Sequence, residues 1–436
     1  MPASPTTRAR GSVSPARTCA LRVIRRVFEQ GAYADRALAS EAAGLEPRDR
    51  ALATALSFGT VQRRATLDYI AAQLVKRPLG RLDAPVLAIL RLGLFELSYL
   101  GGAADYAVVN EMVELAKEQY PHGAGLVNAV LRRGAREGRG MLERLDDDTA
   151  GSAALLHSVP GWLASKWWAE LGAERARALL RVVNDPAESA LRVNTLVATV
   201  EEVQNVLPVP SRAASKAHDL PEALVLDGPF DVQASELWRY GAVQPQSRAS
   251  MLVSRILAPE PEQRVLDLCA APGGKTTHLA ALMRDRGEIV AIERHPGRAA
   301  ALERTAARLG TTSVRVEVGD AAAVRGDGPF HRVLVDPPCS GLGTLQSRPD
   351  LRWRARPEAV PELAAMQTRI LAAGADVLAP GGALVYSVCT ISREEGEGVI
   401  DRFLAEHADF TTEQVLQLLP HRDQTDGFFI ARLLRR

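Results

Sequence analysis

Between Arg264 and Thr390 the chain repeats one pattern: a short apolar run, a polar or acidic residue where the run stops, then a stretch with helical spacing. The runs are RVLDL (Arg264–Leu268), EIVAIE ending at Glu293, SVRVEVGD ending at Asp320, HRVLVDPPCS and GGALVYSVCT. Helices are expected from about Gly297 to Leu309 and from Pro357 to Leu378. Parallel neighbours can be joined only by a long crossover, so this alternation calls for a doubly wound, mostly parallel sheet. Such sheets bind ligands beyond the carboxyl ends of their strands. Glu293, Asp320 and Asp336 close three successive runs and are expected to converge on one crevice.

The stretch VLVDPPCSG (Val333–Gly341) carries the densest chemistry. Val333–Val335 reads as a strand buried on both faces. Pro337 and Pro338 cannot donate to a ladder, so they end the strand and stiffen the loop that holds Asp336 and Cys339. In CAAPGGKTTHLA, after the first run, Gly273 and Gly274 let a backbone approach a ligand. Thr276 and Thr277 then open a helix whose N-terminal dipole favours negative charge.

Two cofactor classes fit such a crevice. A P-loop nucleotide hydrolase would use CAAPGGKT as its phosphate loop and VLVD as its magnesium strand. Against it, Cys269 stands where that loop needs glycine, and Pro272 removes an N–H donor from the cradle. Glu293 is also placed for a ribose diol, which a phosphate loop does not require. The alternative is S-adenosylmethionine: the first loop passes the methionine part, the second acid holds the ribose and the third reaches the adenine. No phosphate is cradled, so the missing glycine does no harm.

The rest of the chain reads as support and substrate recognition. Residues 1–17 are rich in Pro, Ser, Thr and Arg without an apolar core, and are expected to form a disordered basic leader. Residues 18–140 show helical periodicity, as at Leu21, Ile24, Val27 and Phe28 and at Leu87, Leu90, Leu94 and Leu97, with breaks that imply a bundle of about five helices. Arg132, Arg133, Arg136 and Arg139 form either a solvated face or part of an RNA surface. Residues 141–240 read as further helices and a small α+β segment, in which the polar side of ALRVNTL (Arg192, Asn194) is expected to meet water. Residues 241–436 form the catalytic domain. A net charge of +1 leaves any nucleic acid to be met by local basic patches. Four widely spaced cysteines suggest a reduced, cytoplasmic protein, with no metal site. Arg91 and Glu96 break the longest apolar stretch, so no membrane span is expected.

DLCAAPGGKT, DPPCSG and YSVCT, in that order, resemble the RNA cytosine-5 methyltransferases. YAVVNEMVELAKEQY and GLVNAVLRR resemble the NusB-like RNA-binding domain, and together they make the chain similar to the RsmB (Fmu/Sun) type. RVNTL and DGFFIARL are also similar to motifs of that family. The resemblance implies an all-α NusB-like bundle, a small linking segment and a Rossmann-like methyltransferase domain. It implies methyl transfer from S-adenosyl-L-methionine to carbon-5 of a cytosine in 16S ribosomal RNA, by a monomer acting on RNA or on a partly assembled small subunit. Cofactor contacts would fall on Cys269, Ala270, Ala271, Pro272, Gly273, Gly274 and Lys275, and on Glu293, Asp320 and Asp336. Glu293 stands where the family usually has Asp, and Gln244–Ser247 (QPQS) departs from a Gln-Asp-Ala-Ser-like pattern.

Carbon-5 of cytosine is a poor nucleophile, so a thiolate must first add to carbon-6. Chemistry alone does not say which cysteine attacks: the thiol after a proline would be Cys339, whereas the RNA family implies Cys389. On the family's pattern Cys389 is the nucleophile, Cys339 assists proton removal and product release, and Asp336 bonds the cytosine edge. Lys275 would raise the thiolate fraction. A non-catalytic RNA-binding assembly factor is the third reading, against which stand both cysteines and all three acids.

Overall fold

The computed structural model describes residues 13–213, 220–324 and 328–436. Contacts divide the chain into two compact units, one reaching to Asp185 and including Leu345–Arg354, the other made of Pro186–Thr344 and Ala355–Arg436. The expected linking region 141–240 is therefore split at Asp185: its helices up to Val182 belong to the first unit, its strands and the helix Val200–Val206 to the second. Among the described residues no helix is long and apolar enough to cross a membrane.

In the first unit, helicity begins before Thr18. Ser14 accepts a hydrogen bond from the Arg17 N–H and caps the helix Pro15–Gln30, and the Arg17 guanidinium is buried against Glu96 and Glu111. Val13–Arg17 thus depart from the expected leader, whose residues 1–12 lie outside the described residues. Among the described residues seven α-helices precede Glu143, rather than about five; one division not expected falls at Arg63, between the helices Pro47–Gln62 and Arg64–Leu74. Leu21, Ile24, Leu90, Leu94 and Leu97 are all buried in one cluster, as their spacing predicts, with Phe28 and Leu87 packed at its edge. Arg352 is fully buried in this unit. Its planar fork donates to the carbonyl oxygens of Ser158, Val183 and Leu345 and to the Asn184 amide oxygen, and burial lowers its pKa to about 9.

The second unit opens with a four-stranded antiparallel sheet of β1 (Ala190–Val193), β2 (Ser211–Ala213), β3 (Ala223–Leu226) and β4 (Val243–Pro245), in the order β2-β3-β1-β4. Here the expectation that the polar side of ALRVNTL meets water fails. Arg192 and Asn194 are 1% and 2% exposed. Arg192 donates to the Gly274 carbonyl and the Thr277 hydroxyl, while Asn194 donates to the carbonyls of Gly241 and Leu309. Alternation along a strand assigns residues to faces but does not say what covers each face.

Seven further strands form the main sheet: β5 (Arg264–Leu268), β6 (Glu288–Glu293), β7 (Val314–Val318), β8 (Phe330–Val335), β9 (Leu378–Val388), β10 (Phe410–Leu418) and β11 (Phe428–Arg435). Their order is β10-β11-β9-β8-β5-β6-β7, parallel from β7 to β9 and antiparallel at β11 and β10. The chain order reverses between β5 and β8, which places the topological switch point beside DPPCSG. The DGFFIARL stretch supplies β11 and also shapes that loop. Gly427 N–H donates to the Gly343 carbonyl at 2.8 Å, and Gly343 N–H donates to the Cys389 carbonyl at 3.0 Å. A Cβ on Gly343 would lie 1.9 Å from the Gly427 carbonyl oxygen, where only backbone is available to move. Gly343→Ala should therefore cost about 1–3 kcal/mol, read as a lowered midpoint in urea unfolding; an unshifted midpoint would show that the two loops do not depend on this approach.

Candidate active site

β5 runs into a loop that hugs the carboxyl edge of the sheet. Cys269 takes φ 64°, where a side chain is seldom found, and Ala270 N–H donates to the Ile292 carbonyl of β6 at 3.0 Å. Gly273, at φ 99°, ends the loop and begins the helix Gly274–Leu282 without a side-chain cap. A Cβ there would press on Leu302 at 3.2 Å, so glycine answers both the backbone angle and the close packing. The helix thus starts at Gly274, two residues before the expected Thr276.

Lys275 projects from this helix to Asp336 at the end of β8, with Nζ 2.7 Å from Oδ2. The Ser387 hydroxyl donates to the other carboxylate oxygen at 2.7 Å. Register explains the second contact: Val335 of β8 lies opposite Tyr386 of β9, so Asp336 falls opposite Ser387. Burial alone would pull the Lys275 ammonium down, but the Asp336 charge and hydrogen bond, with Cys389 nearby, hold it above its ordinary value.

Cys389 follows β9 directly and shares a face with Ser387. Its sulfur lies 3.3 Å from that of Cys339, within thiol hydrogen-bond distance. The contact with Cys389, then burial, pushes the Cys339 thiol well above the usual thiol range. The contact and burial thus disfavour a negative charge on Cys339, while the Lys275 cation lies on the Cys389 side. Cys269 is a different kind of thiol: burial, then the charges of Asp336, Asp267 and Glu293, push it up to about 12. That setting disfavours its thiolate.

The remaining acids sit along the same edge. Glu293 is 3% exposed, accepts from His295 N–H at 2.9 Å and lies 3.6 Å from Arg298, which also donates to the Ala271 carbonyl. Asp320 is exposed and caps the turn Ala321–Ala323 by accepting from Ala322 N–H. It falls two residues after β7, and Gly319 N–H ties it to the Glu293 carbonyl. Every expected site residue therefore lies at one end of one sheet, with Lys275, Asp336, Cys339 and Cys389 in closest association. The sequence reading missed Asp267, Arg298, Gln367, Ser387 and Glu395. Only Ser387 carried a signal there, as the polar neighbour two residues before Cys389 on a strand.

The donor set fits a sulfonium amino acid joined to a nucleoside. The uncapped helix N-terminus suits a carboxylate, the buried Glu293 a ribose diol, and the edge lacks the glycine cradle a triphosphate needs. Fold and edge together define a Rossmann-like methyltransferase.

Comparisons with known proteins carry the identification further. The profile of the family described as 16S rRNA methyltransferase RsmB/F matches residues 254–434, the NusB family profile matches 14–136, and the RsmF/B-like ferredoxin-like domain matches 159–233. The probable ribosomal RNA small subunit methyltransferase B of Synechocystis sp. is 36% identical, covering 96% of this chain and 99% of that protein. Ribosomal RNA small subunit methyltransferase B of Thermus thermophilus is 36% identical over 89% of each. The crystal structure of PH0851 superposes with a TM-score of 0.81 at 28% identity, covering 97% of this chain and 99% of that one. The chain belongs to the ribosomal RNA small subunit methyltransferase B family. It is a methyltransferase that uses S-adenosyl-L-methionine and acts on ribosomal RNA. These matches favour neither the nucleotide hydrolase nor the non-catalytic assembly factor.

Asp267, on β5 beneath the loop, gives the site a pH signature. It is 1% exposed, accepts from the Thr276 hydroxyl at 2.7 Å, and its Oδ1 has no hydrogen-bond partner. Burial, opposed by the Thr276 bond and reinforced by the Asp336 charge, raises its pKa from 3.8 to about 7. The folded state thus favours the protonated acid. Its contribution to stability is fully present below the unfolded value and is lost as pH rises through about 7. Asp267→Asn cannot ionise, so in urea unfolding of the unliganded protein at about pH 5 and about pH 8 the wild type should lose more stability than the variant. Equal losses would contradict the assignment.

Proposed function

We propose that the protein methylates carbon-5 of a cytosine in 16S ribosomal RNA through a covalent bond between Cys389 and the base. The observation that carries this reading is the pair of thiols 3.3 Å apart beside an Asp336 carboxylate already oriented by Lys275 and Ser387. A single base would suffice for methylation of a nitrogen or a hydroxyl. Two thiols suit a reaction that must first attack the ring and later release it.

S-adenosylmethionine supplies an electrophilic methyl group when bound. The Cys269–Lys275 loop and the helix N-terminus would hold its methionine part, Glu293 its ribose hydroxyls and Asp320 its adenine, with Asp336 between cofactor and base. Glu293 reaches one methylene further than the usual Asp, and its pairing with Arg298 holds that longer side chain back. Gln244 and Gln246 lie in and after β4; Gln246 bonds Ser250 and lies beside Gly274, so this divergent loop supports the cofactor loop from behind.

The Cys389 thiolate, stabilised by the Lys275 cation, would add to carbon-6 and shift the ring electrons to carbon-5, which would take the methyl group as the sulfonium–methyl bond breaks and its electron pair stays on sulfur, leaving S-adenosylhomocysteine. Asp336 accepts a hydrogen bond from the amino edge of the cytosine and fixes the ring over the thiol. Cys339 then gives its own proton to solvent and, as a thiolate, takes the proton from carbon-5. The electron pair of the carbon–hydrogen bond restores the ring double bond, and the pair of the carbon–sulfur bond returns to Cys389. A base reached in this way must be unstacked or single-stranded. The chemistry requires reduced thiols and none of the four cysteines is in a disulfide, which supports work in the cytoplasm. We read the enzyme as a monomer, acting on 16S RNA or on a partly assembled small subunit.

Purified protein, labelled S-adenosylmethionine and ribosomal RNA from a strain lacking the gene test this reading. Cys389→Ala should abolish transfer to a mapped cytosine, and Cys339→Ala should leave a protein–RNA adduct that survives a denaturing gel. Exchanged phenotypes would reverse the roles, and label on a nitrogen or ribose oxygen would sink the reading.

A further inference from the structure

The residues that follow the two thiols converge on one buried carboxylate. Glu395 is 0% exposed and sits in the turn before the helix Glu397–Glu406. Its Oε1 accepts from the Ser340 backbone N–H at 2.8 Å and from Gln367 Nε2 at 3.0 Å. Its Oε2 accepts from the Ser340 hydroxyl at 2.5 Å and the Thr390 hydroxyl at 3.3 Å. Those two hydroxyls are themselves 2.9 Å apart. Gln367, fully buried on the helix Ala359–Asp376, also donates to the Pro338 carbonyl at 2.9 Å. The buried Tyr386 hydroxyl donates to the Glu395 carbonyl at 2.6 Å and to Gln367 Oε1 at 3.1 Å. The backbone on both sides of Cys339, and the residue after Cys389, are thus fixed to Glu395 and its partner Gln367.

We propose that Glu395 is a positioning residue for the thiol pair, holding the Cys339 and Cys389 loops at the separation that lets one sulfur attack while the other keeps its proton. The inference rests on the cysteine chemistry proposed above. The geometry is specific to a carboxylate. Three of the four hydrogen bonds come from donors that need an acceptor, the Ser340 N–H, the Gln367 amide and a hydroxyl, and an amide in place of Glu395 offers only one accepting oxygen. Burial makes each lost bond count, because no water replaces it. The charge works in the same direction as the geometry. After the contact with Cys389 and burial, the Glu395 carboxylate further disfavours a second negative charge on Cys339. The two thiols therefore face opposite fields, Glu395 on the Cys339 side and Lys275 on the Cys389 side.

Glu395→Gln, Glu395→Asp, Thr390→Val and Cys389→Ala, each in the full chain, test the proposal with labelled S-adenosylmethionine and 16S RNA. Glu395→Gln should lower kcat roughly 10- to 100-fold and leave the KM for S-adenosylmethionine within about twofold. Alkylation of Cys339 by iodoacetamide, followed by mass spectrometry at one fixed pH, should become several times faster. Glu395→Asp, which keeps the acceptor charge, should recover part of the rate. If Glu395→Gln does not fold, Thr390→Val removes one donor without disturbing the charge and should lower kcat several-fold at constant KM. A wild-type kcat, or a KM that rises in step with the loss, overturns the positioning role while leaving the cysteine reading intact, provided Cys389→Ala is inactive. An active Cys389→Ala overturns both.

Discussion

The Asp336 carboxylate joins the three motif-bearing parts of the sheet. It ends β8, receives the ammonium of Lys275 from the helix after β5, and receives the hydroxyl of Ser387 from β9. A partly buried carboxylate persists only when such partners replace water. The partners here come from β9 and from the helix that follows β5, and β9 and β5 are the strands that flank β8 in the sheet. The order β9-β8-β5 therefore does more than bury hydrophobic surface. It makes DLCAAPGGKT, DPPCSG and YSVCT neighbours, although more than a hundred residues separate the first from the last.

From that anchor the two thiols acquire different surroundings. Cys389 extends the face of β9 that carries Ser387, and so shares the environment of the Lys275–Asp336 pair. Cys339 lies on the loop after the two prolines, and its neighbours are the partner thiol and the buried Glu395 cluster. Two chemically identical side chains thus stand in different surroundings. Cys269 completes the contrast: it shares the loop region with these groups, yet burial and three nearby acids disfavour its thiolate. The buried Asp267 marks the other limit of the site, where a carboxyl group is held near neutrality by the same low-polarity setting that strengthens the Lys275–Asp336 contact.

The differences between expectation and structure follow one physical line. Strand positions, the family motifs and the edge that gathers the acids were legible because apolar continuity and crossover geometry are local in origin. The helix Val200–Val206, opened by a Thr199–Glu202 capping box, falls within the expected α+β segment. Arg192 and Asn194 were misread as water-facing because a polar residue on a strand can equally donate to carbonyls of another element. The start at Pro15 was missed because a Ser-Pro pair inside a Pro-rich leader resembles a disordered segment, although Ser followed by Pro is also a helix start. Domain limits moved to Asp185 because helical spacing does not say which neighbour a helix packs against.

The order of residues along the chain was enough to give the kind of sheet, the residues at its carboxyl edge and the motifs of the RNA methyltransferase family. These depend on spacing, chain direction and side-chain type, which are written in order along the chain. Tertiary structure alone decided that Ser387 orients Asp336, that Lys275 pairs with that acid, and that Glu395, Gln367 and Tyr386 brace the loops of Cys339 and Cys389. Most of those contacts join residues tens of positions apart, which the pairing of β8 with β5 and β9 brings together. A polar residue's role is set by which donor or acceptor folding brings within hydrogen-bond distance, and no periodicity in the sequence records that.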